Sequence, residues 1–192
     1  MALSIADQQD AADLAAASTQ LLGLDVIWTT GFEQGVPEGK TPASSDLIKV
    51  GLGMATQLGK IHKGVPLLKR FADELEVALL AQSGHTKDWT LGIDPLDVPG
   101  LLREAVKHVD DHATEEISTL LAKAERLEGG QAVQGDLPRR MRGAIYLLCA
   151  AVTVGLGAFA TVCGGPAGIG FGFAGAVVAA ALFSQGLSDF HA

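Results

Sequence analysis

Apolar positions recur at helical spacing through most of the chain and then, towards its C-terminal end, stop being interrupted at all. Leu47, Val50, Met54, Leu58 and Ile61 mark one face of a helix from about Asp46 to His62, with Ser44 or Ser45 placed to cap it. Gly64 interrupts the pattern, and Pro66, a residue favoured in a first turn, opens a second helix to Gln82 carrying Leu68, Phe71, Leu75, Ala78 and Leu79. The longest amphipathic stripe is Leu102, Val106, Val109, Ala113, Ile117, Leu120, Ala124 and Leu127. It starts at Asp97 and Pro99 and stops at Gly129-Gly130. Three helices with one apolar face each predict a small all-α bundle.

The flanking segments are less regular. Residues 3–22 are Ala-rich and helix-prone, with Asp7, Asp10 and Asp13 on the early turns where the helix dipole favours acids. Their apolar face is thin (Leu3, Ala6, Leu14, Leu21, Leu22), which predicts a peripheral helix or a pairing segment. Residues 23–43 read as an irregular loop: Leu24 to Phe32 suits a short extended piece, and Gly31, Gly35, Pro37, Gly39 and Pro42 break the chain repeatedly. Gly35 to Thr41 resembles a phosphate-binding loop but has three residues between its glycines where the motif needs four. Pro42 also pushes Thr41 away from the helical conformation, so the segment reads as an ordinary loop. His85 to Val98 is a loop holding Trp89, and residues 129–137 form a polar, Gly-containing linker.

From Gly143 to Ser188 there is no Asp, Glu, Lys, Arg or His. Two apolar runs, Ala144 to Val162 and Ala167 to Phe183, flank a Gly164-Gly165-Pro166 turn. As helices the runs are about 28 and 25 Å long at a rise of 1.5 Å per residue, long enough for a bilayer core of about 30 Å, the second barely. Gly164, Gly168, Gly172, Ala176, Ala180 and Ser184 fall every four residues and make one small-residue ridge. Ala151, Gly155 and Ala158 offer a matching groove, an arrangement that lets helix backbones approach closely in lipid. Arg139, Arg140 and Arg142 stand directly before the first run, where the positive-inside rule places basic residues.

These features predict an acidic helical domain over residues 1–128, a linker and basic edge over 129–142, and a hydrophobic two-helix hairpin over 143–188. The expectation is a membrane-associated protein whose hairpin inserts in a bilayer, with both chain ends cytoplasmic and Gly164–Pro166 on the far side. The N-terminal domain then binds a protein partner or self-associates. The alternative is a bundle that wraps the hairpin in its amphipathic helices. In outline, an Ala/Gly-rich apolar hairpin with a short turn shielded by amphipathic helices is similar to the pore-forming domains of colicins. That resemblance, confined to about residues 143–188, implies a soluble pore-former that buries the hairpin until it meets lipid.

Charge narrows the function classes. All 14 basic residues and all but one of the 22 acids lie at or before Arg142, and the net charge is −8. An acidic chain without a basic stripe is not expected to bind nucleic acid. The N-terminus has neither a basic residue nor an uninterrupted apolar core, so no secretory signal is expected there. Cys149 and Cys163 sit in apolar surroundings that make a thiol inert, no nucleophile signature is readable, and a non-enzymatic role without cofactor is expected. His108, His112 and Glu116 are four apart on one helix side, and His62 flanks the apolar face of its own helix. His62, His112 and Glu116 resemble part of a hemerythrin-like di-iron bundle, which implies a metal-binding bundle as a weaker alternative. The family's further His-x-x-x-His pair is missing, and a solvated polar flank is the reading adopted.

Overall fold

A computed structural model describes residues 4–33, 44–81, 97–131, 133, 137–153 and 181–191, and the secondary structure among them is helical. In chain order the elements are α1 (Ile5–Glu33), α2 (Ser44–Lys63), α3 (Val65–Ala81) and α4 (Val98–Glu128), then α5 (residues 139–153) and α6 (residues 181–190). The all-α expectation holds, and α2, α3 and α4 lie within a residue or two of their expected bounds. Gly64 separates α2 from α3. Its N–H donates to the carbonyls of Lys60 and Ile61, and its own carbonyl accepts from Leu68 to start the next helix.

The apolar stripes meet as their periodicity requires. Helix α4 runs antiparallel along α2 and α3: Gly51 faces Ala124, Gly59 faces Ile117, Lys69 bonds Asp110 and Arg103 bonds Asp73. Helix α1 lies antiparallel on the same pair, with Trp28 over Gly51, Leu24 over Gly53, Leu14 over Gly64 and Asp7 paired to Arg70. A Cβ at Gly51 would stand 2.6 Å from the Trp28 ring, so a glycine here seats the fully buried indole.

Helix α1 corrects the reading of its segment twice. It continues through residues 23–33, which are helical and not part of an irregular loop. It is also a core element and not a peripheral one, since Ala11, Leu14, Ala17, Leu21, Leu22 and Trp28 are buried. The cause lies in its inverted pattern. The buried positions span an arc of about 140° at 100° per residue. That arc contains the polar Ser18 and Asp25, while Ala16, Val26 and Ile27 face out. Polar residues inside and apolar ones outside erase the periodicity that betrays an amphipathic helix. The remainder of the expected loop, 34–43 with its phosphate-loop lookalike, lies outside the described residues, as does Trp89.

The charge-free stretch is represented by its two ends. In α5, residues 143–152 are buried except for the half-buried Tyr146, which shares a narrow, partly exposed strip with Arg142 and Thr153; the rest of the helix surface over 143–152 is covered by protein. Its Ile145, Leu147, Leu148 and Val152 join Leu21, Leu58, Phe71 and Val106 in one core cluster. Burial of each such side chain contributes roughly 1.5–3 kcal/mol, which makes α5 a principal source of stability. Val133 and Leu137 are buried in the same cluster, so the core runs across the expected linker. Among the described residues no helix is long and apolar enough to cross a membrane.

Helices α5 and α6 pack antiparallel at two glycines. A Cβ at Gly143 would collide with the backbone of Asp189 and Phe190, and one at Gly186 would stand 3.0–3.1 Å from Leu147. Close backbone approach through small residues is therefore present at the ends of the stretch. The ridge and groove residues Gly155, Gly164, Gly168, Gly172, Ala176 and Ala180 lie outside the described residues.

A paired substitution tests this packing. Gly143→Ala should lower the stability by about 1–3 kcal/mol, because a backbone cannot give way as a flexible side chain does. Gly23→Ala, in mid-α1 with nothing near its added methyl, should raise it by about 0.5–1 kcal/mol. Thermal or denaturant unfolding of the two variants beside wild type reads both signs.

Candidate functional site

The most unusual chemistry in the molecule stands where the charged part of the chain meets the charge-free part. Asp25, on the inner face of α1, is almost completely buried, with a side chain 4% exposed. Its Oδ2 accepts a 2.7 Å bond from Arg142 Nε, and its Oδ1 accepts from the backbone N–H of Leu137 at 2.9 Å. Arg142 Nη2 reaches back to the Leu137 carbonyl at 3.3 Å. One carboxylate thus ties α1 to both the approach and the first turn of α5. Further along the same interface Thr19 Oγ1 lies 3.5 Å from the Cys149 sulfur. Removing one partner of so buried a pair strands a charge, which typically costs about 3–5 kcal/mol.

The other arginines of the expected membrane edge differ. Arg140 closes the end of α6: its Nε donates to the Phe190 carbonyl at 3.4 Å, and its guanidinium stands 5.7 Å from the Phe190 ring centre. A cation at a helix C-terminus is favoured by the helix dipole. Arg139 is exposed. The residues chosen for bilayer contact therefore include two with partners inside the protein.

Phe190 also joins α6 to α4. Its buried ring meets His108 edge to face, with centroids 5.8 Å apart at 87°, and the His112 ring lies tilted against His108 at 4.6 Å. Burial first, then the charges of His112 and Arg140, hold the His108 imidazole below the ordinary histidine range, while Asp111 pulls the other way.

The residues considered for metal are distributed among other contacts. His62 Nε2 lies 3.8 Å from Asp110, whose other oxygen accepts a 2.7 Å bond from Lys69, while His112 is exposed against His108. Glu116 is half-buried on α4, and burial is the main reason its carboxyl titrates above the ordinary range. Among the described residues no three His, Cys, Asp or Glu stand together as a metal-holding group.

Sequence reasoning passed over Asp25, Phe190, Gly143 and Gly186. A signal for Asp25 was present: it is the lone charged residue between Leu14 and Phe32. An isolated acid in an otherwise uncharged helical stretch needs a partner if it is buried. Phe190 had no comparable signal, since its partners come from distant segments.

The half-buried carboxylate gives a prediction with a defined sign. The folded protein holds the Glu116 proton more tightly than the unfolded chain, so ionised Glu116 opposes folding at neutral pH. That penalty disappears as pH falls through the folded value towards the unfolded value of 4.5. Glu116→Gln should therefore raise the melting temperature at pH 7. The advantage should vanish below about pH 4.5, as followed by thermal melts across the range.

No protein-family model, curated protein or solved structure matches the chain, so its function is argued from this geometry alone.

Proposed function

We propose that this is a conditional lipid-binding protein with a mechanical and not a catalytic task. In this reading a helical bundle stores the charge-free segment 143–188 until the bundle opens at a membrane. The observation that carries it is the burial of residues 143–152, all but the half-buried Tyr146, behind the Asp25–Arg142 pair. A helix that is apolar all round belongs either to a protein interior or to lipid. The two environments are alternatives for the same surface. Residues 154–180 continue the stretch without a charge and so share its affinity for an apolar phase.

The ion pair suits a latch between the two states. In the closed state Arg142 is neutralised and turned inward. Once separated from Asp25, it stands with Arg139 and Arg140 at the edge of the apolar run, where three cations favour an anionic lipid surface by roughly 1 kcal/mol each. Storage in the bundle and anchoring at a headgroup layer thus use the same residue. A permanently inserted hairpin, the other reading of the same sequence, requires α5 to have left the packing described above.

Flotation separates the readings. Protein purified without detergent is mixed with vesicles containing anionic lipid at pH 7.5, as wild type and as Asp25→Asn. The variant should lose about 3 kcal/mol of stability and float with the vesicles several-fold more than wild type. Wild type extractable only in detergent would favour permanent insertion. If neither protein floats while the variant is measurably destabilised, the lipid reading fails.

A further inference from the structure

The last turn of α6 is held by one ring among four basic side chains. Phe190 packs edge to face on His108 of α4, Arg140 of α5 stands over it, and its sequence neighbour His191 lies 5.7 Å away, ring to ring. His112, one turn along α4, lies tilted against His108 with ring centroids 4.6 Å apart. These contacts tie three elements at one point, beside the glycine crossing where Gly143 meets the backbone of Asp189 and Phe190.

The arrangement tolerates His108 as a neutral ring and opposes it as a cation. An imidazolium there would be half-buried, next to Arg140 and against His112. The cation–π attraction of the Phe190 face is already used by Arg140. Two acids are within the neighbourhood. Asp111, on α4, is engaged by Lys107 at 2.6 Å; Asp189, buried on α6, accepts from Gln185 at 3.2 Å.

We propose that His108 and Phe190 form an acid-opened clasp, which holds the end of α6 on α4 and α5 at neutral pH and releases it when His108 takes up a proton. The sign follows from the depressed imidazole: its contribution is complete above the free-histidine value of 6.5 and is lost as pH falls from there towards the folded value. Release exposes Gly143 and the C-terminal end of the charge-free stretch, so the clasp supplies a trigger for the lipid reading, on which only that consequence rests.

Hydrogen exchange of the full chain without lipid, at pH 7.5 and about pH 5.5 and corrected for intrinsic rates, reads the clasp directly. Amides of 183–191 should lose protection several-fold on acidification while those of 14–22 in α1 keep theirs. His108→Gln should abolish the acid response. His108→Phe, which keeps an aromatic ring and cannot protonate, is the second test if the glutamine fails to hold α6 at pH 7.5. Unchanged protection of 183–191 in wild type, or an acid response retained in both variants, overturns the clasp. Vesicle flotation at the same two pH values keeps the proposals apart: loss of protection in 183–191 without flotation supports the clasp and counts against the lipid reading alone.

Discussion

The constraint on which the structure depends is the need to keep water from a helix whose only polar strip, Arg142, Tyr146 and Thr153, is narrow. From residue 143 onward α5 presents apolar or small side chains in nearly every direction. Such a helix cannot lie on a bundle surface; it must be surrounded. Helices α2, α3 and α4 each supply one stripe, and those stripes largely satisfy one another. Among the described residues the additional cover comes from α1 and α6. Helix α1 is long and hides polar groups on its inner face. Helix α6 approaches α5 so closely that glycine is needed on each side of the crossing.

Burying Asp25 beside that helix looks unfavourable until its bonds are considered together. Desolvation of a carboxylate and a guanidinium costs several kcal/mol per ion, and a pair of this kind adds little to stability compared with apolar residues of the same shape. Its effect is on specificity. Three bonds join one side chain of α1 to a backbone N–H, a guanidinium and, through the arginine, a carbonyl on the segment entering α5. A one-residue slip of α5 would leave both charges unmatched in the interior. The glycine crossing with α6 fixes the same register, since a slip would bring Ala144 to the place of Gly143.

The charged surface divides along the same lines. Arg103 bonds Asp73 and Glu76, Lys69 bonds Asp110 and Arg70 bonds Asp7, all on the rim of the bundle formed by α1, α3 and α4. Exposed pairs of this sort contribute about 0–1 kcal/mol each and are screened by salt. At the α5–α6 end the groups are fewer and less exposed, and rings and backbone take part. The two regions therefore differ in what would disturb them: salt for the rim, loss of a single partner or gain of a single proton for the α5–α6 end.

Sequence alone determined the helices that carry one clean apolar stripe. Helices α2, α3 and α4 were legible because each faces the interior on one side and water on the other, and because Ser44, Gly64, Pro66, Pro99 and Gly129 mark their ends. It also determined that residues 143–188 shun water. It did not say whether lipid or protein takes the water's place, since both offer an apolar surround and the chain pattern is the same for each. Only the tertiary structure shows which protein surfaces residues 143–152 meet, since all but the half-buried Tyr146 are buried against other helices. It also decided the course of α1, where the inward Asp25 is matched to partners over a hundred positions away: Leu137 and Arg142, 112 and 117 residues on. Asp25 leaves a local trace as the lone charge in its stretch, but its partners do not, and neither do the ring contacts of Phe190. Their partners are brought together by the packing of whole helices, which only the folded chain defines.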